Sequence, residues 1–265
     1  MRYYIITDME GVSGVVDFDD YGSRSSPYYE KAVRLTTLEV NAAIEGILST
    51  GNHEIIVCDG HGAGAIDIEL LHKDAELIFG KNLRLSFEMD DGRYDGLLMV
   101  GQHAMQDAAG ANLGHTFEHV NIKSLTINGI LMGEAGVNAL RAGAYDVPTI
   151  FLSGDIAACS EIEKIIPGIT TCAVKRGIST TSAVCLQPDK AREKIKASVR
   201  KAVSSMDRIK PYQLKPPYEA VFDFFNADRL KRYKGKNYCR ILPDNKVCIY
   251  SDEIKPLLLE RLWGL

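Results

Sequence analysis

The sequence has no Cys-x-x-Cys pair. Its six cysteines, at positions 58, 159, 172, 185, 239 and 248, stand far apart. That spacing argues against a disulfide frame or a thiolate metal site and fits small core residues in a reducing compartment. A long basic run is also missing. With 31 Lys and Arg against 35 Asp and Glu, the net charge is −4, which argues against nucleic acid as the main partner. No apolar run approaches a membrane span, so no membrane partner is expected. The chain opens directly into Tyr3-Tyr4-Ile5-Ile6-Thr7, without the apolar stretch and cleavage site of a signal peptide. A cytoplasmic location is the expectation. Neither internal repeats nor low-complexity segments interrupt the 265 residues, enough for one large α/β domain or a domain with a smaller partner.

What is present alternates between strand-like and helix-like patterns. Arg2 to Ile6 is β-branched and aromatic, and reads as a strand. Apolar residues at Ala32, Leu35, Leu38, Ala42, Ala43, Ile47 and Leu48 recur at helical spacing, with Gly51 as a stop. Glu54 to Cys58 is a second strand, giving a β-α-β unit with parallel strands. Further strands are expected at 75–79, 95–101, 147–153 and 170–175. A hairpin at 123–132 would turn at Asn128-Gly129, and helices would begin at Gly133-Glu134 and Ser160. From Gly177 the character changes: an amphipathic helix at 188–206, a proline-stiffened connector, then strand, helix, strand, strand and helix. The expectation is a three-layer α/β/α fold with a largely parallel sheet over residues 1–176, and a smaller α+β lobe over 177–265. The 102–122 loop is assignable to either.

Chemistry concentrates where strands end. Thr7-Asp8-Met9-Glu10-Gly11 places two carboxylates where a buried strand opens into a loop. Carboxylates spaced i, i+2 in such a place repel each other unless a cation lies between them. Taken alone, Asp8 reads first as a turn cap and Glu10 as solvated. His61 in Asp59-Gly60-His61-Gly62, His103 in Gly101-Gln102-His103 and Glu134 at a helix start stand in equivalent places. Each has a bland alternative, a loop hydrogen bond or a helix-dipole partner. Their coincidence favours a metal site, because ligands in open parallel sheets gather outside the carboxyl ends of the strands. Imidazole and carboxylate without thiolate suit zinc or another borderline divalent ion. Three carboxylates and two histidines exceed what one zinc needs, so a two-metal site fits better. His115 and His119 are then left over, one of them free for catalysis. His53 and His72 read as surface residues. The Gly60 to Gly64 loop satisfies no phosphate-binding spacing.

Taken together, Asp8-Met9-Glu10-Gly11-Val12-Ser13-Gly14, Asp59-Gly60-His61, Gly101-Gln102-His103-Ala104, Gly114-His115-Thr116, Gly133-Glu134-Ala135-Gly136-Val137-Asn138-Ala139, Tyr145-Asp146-Val147-Pro148, Gly154-Asp155 and Ala173-Val174-Lys175 resemble the bacterial zinc-dependent D-aminopeptidases. Order and spacing hold over roughly the first 190 residues. The resemblance implies a dinuclear zinc aminopeptidase acting on short peptides with D-residues such as D-Ala-D-Ala. It implies two Zn2+ per chain, held by Asp8 (bridging), Glu10, His61, His103 and Glu134, with His115 catalytic and the chain assembled as a homodecamer. Asp59 and Asp155 would orient the ligating imidazoles. It would also place a basic residue near Thr180, where this chain reads Ile178-Ser179-Thr180-Thr181. The alternatives are a dinuclear hydrolase of another amide or ester, an aminopeptidase preferring L-peptides, and a non-enzymatic peptide-binding protein.

Overall fold

Continuous apolar runs become the strands of a central sheet, and residues at helical spacing become its covering layers. The computed structural model of the chain describes residues 1–80 and 94–264. The first half contains β1 (Arg2–Thr7), α1 (Phe18–Tyr21), α2 (Tyr29–Leu48), β2 (Glu54–Asp59), β3 (Glu76–Ile78), β4 (Gly96–Gln102), β5 (Ile122–Ile127), β6 (Ile130–Leu131) and α3 (Glu134–Gly143). There follow β7 (Thr149–Asp155), α4 (Ile156–Ile165), β8 (Thr170–Ser179), β9 (Ser182–Cys185), α5 (Pro188–Ser204), β10 (Tyr218–Phe224), β11 (Cys239–Leu242), β12 (Lys246–Ser251) and α6 (Ile254–Leu259).

The larger sheet runs β3-β2-β1-β4-β7-β8-β9. Its strands are parallel from β3 to β8, and β9 turns back antiparallel as the far edge. Strands with both faces covered are mostly apolar, and β4 and β7 are buried at every position. On one face α2 and α5 bury Val40, Ala43, Ile44 and Ile47 with Ala191, Ile195, Val199 and Ala202. On the other, α3 and α4 bury Ala135, Ala139 and Ala142 with Ala158 and Ile162. This is the expected three-layer arrangement.

The smaller sheet is antiparallel in the order β11-β12-β10-β5-β6. Asn128 and Gly129, with φ of 49° and 76°, turn the β5–β6 hairpin as its sequence requires. Its core joins Leu125, Ile127, Phe222, Val247 and Ile249 to Leu257 and Leu258 of α6, and to Val137 and Leu140 of α3. Helix α3 therefore has two apolar faces, one for each sheet.

Sheet membership crosses residue 176 in both directions. β5 and β6 precede it yet belong to the smaller sheet, while β9 and α5 follow it yet cover the larger one. Other differences are local. α4 starts at Ile156 rather than Ser160, because Asp155 caps it by accepting the Ala158 amide at 2.7 Å. β8 runs on to Ser179 before the hairpin into β9. His53 and His72 are half-buried rather than surface residues, and His53 meets the Tyr3 ring edge-on and Thr50 Oγ1 at 3.0 Å.

One buried acid on α2 makes the fold pH-sensitive. Glu39 is 2% exposed and accepts the Ser13 amide on Oε1 at 3.0 Å, while its Oε2 has no partner. Burial pushes its carboxyl up from 4.5 to about 7. A raised acid favours the protonated folded state. Its contribution is complete below pH 4.5 and is lost as the pH climbs through 7, by about 3 kcal/mol. Glu39→Gln removes this titration. Thermal denaturation should find the variant close to the parent at pH 5 and more stable by several degrees at pH 8. An equal shift at both pH values would rule the explanation out.

Candidate metal centre

Strand order reverses at β1: the chain moves to β2 and β3 on one side, then to β4 on the other. The crevice at such a switch point is where ligands bind in open sheets. Asp8 follows β1, His61 follows β2, and His103 follows β4. The backbones leaving β1 and β4 cross very closely, with Gly11 N donating to Gly101 O at 2.8 Å and Asp8 N to Val100 O at 2.8 Å. A Cβ on Gly11 would stand 2.0 Å from Gln102 O, and one on Gly101 2.1 Å from Asp8 O, so glycine is required at both. This crossing brings Asp8 and His103 together.

Five of the expected ligands and His115 meet in one cluster. His61 Nδ1 lies 3.3 Å from Asp8 Oδ1 and 3.1 Å from Glu10 Oε2. His103 Nε2 lies 3.4 Å from Asp8 Oδ2 and 3.4 Å from Glu134 Oε1. His115 Nε2 lies 3.6 Å from Glu134 Oε1, and its ring stacks on His103 at 3.9 Å. The two oxygens of Asp8 thus face two different imidazoles. Most of these separations are long for hydrogen bonds. They match the roughly 3.4 Å between ligands that each sit about 2.1 Å from a tetrahedral ion. Glu10 Oε2 is buried without an aligned hydrogen bond, which marks it as a donor atom facing a cation position. The donor set fits two divalent ions: Asp8 Oδ1, Glu10 and His61 on one side, Asp8 Oδ2, His103 and Glu134 on the other.

The far nitrogen of each imidazole meets a backbone carbonyl: His61 Nε2 at Gly22 O (3.1 Å), His103 Nδ1 at Ala104 O (2.9 Å) and His115 Nδ1 at Leu113 O (2.9 Å). Such a carbonyl fixes the ring and leaves the opposite nitrogen as the donor toward a metal. Asp59 and Asp155 do not take this part. Asp59 accepts the amides of Ala65 and Ile66 and closes the glycine loop that carries His61. Asp155 caps α4 and accepts the Asn112 amide at 3.3 Å. Short polar side chains at strand ends bond local amides before they reach a ring.

Lys175 on β8 is a support that sequence reasoning left without a role. Its buried ammonium donates to Glu10 O, to Val15 O (2.5 Å) and to Asn112 Oδ1 (2.8 Å). Burial pushes its pKa down to about 8 against the pull of Asp155 and other acids. Asn112 Nδ2 in turn reaches Val16 O, Ser179 O and Thr180 O. The loop bearing Glu10, the loop bearing His115 and the β8–β9 turn are thereby tied together. Thr180 contributes its carbonyl to this knot. Phe18 of α1 meets His115 edge-on at 5.3 Å and stacks on the exposed His119 at 4.7 Å. A cavity of about 370 Å³ lined by Arg2, His53, Glu54, Asp74 and Glu76 lies at the opposite ends of the strands, away from this cluster.

Charge explains the protonation. Burial alone would raise Asp8, but hydrogen bonds with His103 and His61 hold its carboxyl far below the usual range. Burial would likewise raise Glu134, and His103 lowers it. Burial would lower His61 and His103, but Glu10 and Asp8 hold the first well above an ordinary imidazole, and Asp8 and Glu134 the second. His115 goes the other way, lowered by burial and by the charge of His103. In the metal-free protein His61 and His103 therefore carry protons at neutral pH. A divalent ion must displace them, so affinity falls as the pH falls. Calorimetric metal titrations at pH 7 in buffers of different ionisation enthalpy should register about two protons released per chain. No proton release would contradict the assignment of these histidines as ligands.

The D-aminopeptidase family model matches residues 1–258. A D-aminopeptidase of Bacillus subtilis (strain 168) is 34% identical over 251 residues, which span 93% of this chain and 88% of that protein. Among solved structures, the Zn-dependent D-aminopeptidase DppA from Bacillus subtilis, a self-compartmentalizing protease, matches with a TM-score of 0.89 at 29% identity, over 100% of this chain and 95% of that one. This chain belongs to the D-aminopeptidase family.

Proposed function

We propose that the chain is a zinc metallo-aminopeptidase that removes the N-terminal residue of short peptides containing D-residues, D-Ala-D-Ala among them, through a dinuclear site. One observation carries the dinuclear part: the Asp8 carboxylate turns one oxygen to His61 and the other to His103, at 3.3 and 3.4 Å. Asp8 would bridge, Glu10 and His61 would hold one ion, and His103 and Glu134 the other. Bound zinc lowers the pKa of water and polarises a carbonyl. The remaining work falls to the protein. His115 Nε2, neutral at pH 7 because burial and His103 lower its pKa, takes the proton of the attacking nucleophile and returns it to the departing amine. Stacking on His103 and the Leu113 carbonyl hold its ring for that transfer. Phe18 lies against the His115 ring edge-on and stacks on the exposed His119.

The self-compartmentalizing relative supports an assembled state for this chain too, and we propose a homodecamer. Sedimentation should then give the mass of ten 29.2-kDa chains. Among the described residues no helix is long and apolar enough to cross a membrane. We place the enzyme in the cytoplasm, where scattered unpaired cysteines are at home.

Chelator-stripped protein, assayed on D-Ala-D-Ala and L-Ala-L-Ala before and after zinc is restored, should cleave the D-dipeptide alone and only with zinc. Cleavage of the L-dipeptide instead would keep the site and discard the stereochemistry. His115→Ala should keep its metal, read by elemental analysis, and lose turnover by a factor on the order of 10² to 10⁴. Undiminished turnover would remove His115 from the mechanism.

A further inference from the structure

Two candidate ligands share a support that belongs to neither of their own segments. Glu161, on α4, is buried to 8% exposure. Its Oε2 accepts the Met105 amide at 3.0 Å, and its Oε1 accepts the Gly133 amide at 3.1 Å. Met105 follows His103 by two residues, and Gly133 immediately precedes Glu134. One carboxylate therefore joins the two stretches whose side chains, His103 and Glu134, approach to 3.4 Å. The join is built for close fit: Gly133 caps α3 without a side-chain bond, and a Cβ there would stand 2.3 Å from Glu161 Oε1.

We propose that Glu161 is a positioning residue of the metal centre, setting the His103–Glu134 separation so that this pair accepts a divalent ion. The proposal rests on the reading of the cluster as a metal site. Glu161 touches neither ion nor peptide. It acts through two backbone amides, and Asp8, which lies on other segments, is outside its reach. Its effect is therefore confined to the half of the centre made by His103 and Glu134. A residue serving only to cap α3 would stabilise the fold without distinguishing the two halves.

Glu161→Gln tests this. Glutamine keeps the volume and one acceptor oxygen, but its amide nitrogen faces a backbone N–H, so one of the two bonds is lost. Gly133→Ala disturbs the same contact from the other side with no change of charge, and decides the matter if Glu161→Gln does not fold. Glu163→Gln, an exposed acid on the same helix, is the charge control. Stripped proteins are titrated with zinc against a chromophoric chelator and, separately, loaded with cobalt(II) for visible spectra. The expected result is one zinc equivalent weakened roughly 10- to 100-fold in both test variants, with an altered cobalt band, and the other equivalent unchanged. The control should match the parent. Parental affinity for every equivalent in both variants, whatever happens to their melting temperatures, overturns the proposal. The parent protein is read separately. If it takes one equivalent, the dinuclear reading fails and that equivalent still decides the role of Glu161. If it takes none, both fall.

Discussion

Three carboxylates, two buried and one half-buried, in contact with two imidazoles are the constraint around which the rest is built. Asp8, Glu10 and Glu134 repel one another, and burial removes the water that would screen them. Protons on His61 and His103 can balance most of that charge, but the cost is imidazolium groups held in a dry interior. Divalent ions balance it better, because one ion accepts several oxygens and nitrogens at once. The spacing of the donor atoms follows from this. They sit too far apart for strong hydrogen bonds and close enough to share a cation.

Holding such a cluster open requires supports that are not themselves ligands. Lys175, a buried cation, fixes the carbonyls of Glu10 and Val15 from the β8 side. Backbone carbonyls fix the outward nitrogen of every imidazole. The glycines at 11 and 101 let two strand exits touch. Each of these works through main-chain atoms. Main chain is stiffer than a flexible side chain, so supports of this kind locate a ligand with little loss of conformational freedom on binding.

Much of the site was legible because its residues punctuate strong strand signals. Asp8, His61 and His103 all follow continuous apolar runs and neighbour glycines, so the parallel-sheet rule alone gathers them. Glu134 was legible as the first residue of an apolar-periodic helix. The supports were not. Lys175 and Glu161 are long charged side chains within a strand and a helix, where the sequence pattern gives neither of them a role. Only the layers folded over them reveal the burial. Asp59 and Asp155 failed in the opposite way: their position looked functional, but nearby amides claimed their oxygens first. The boundary at 176 misled because composition changes there while pairing does not. β8 continues past it into a hairpin, and α5 returns to cover the sheet that the earlier strands built.

The smaller sheet is bound to this chemistry more tightly than a separate lobe would be. The Phe117 amide donates to Glu134 Oε1 at 2.7 Å, and Phe117 lies two residues beyond His115. Its ring rests edge-on against Trp263 at 4.9 Å, near the end of the chain. Arg141 of α3 reaches Leu258 O and lies over the same indole. Glu134 begins α3, and α3 gives one face to each sheet. A shift of the second sheet would therefore move Phe117 and α3 together, and with them Glu134 and the loop of His115. The smaller sheet is thus mechanically continuous, through Phe117, Trp263 and Arg141, with the segments that carry Glu134 and His115.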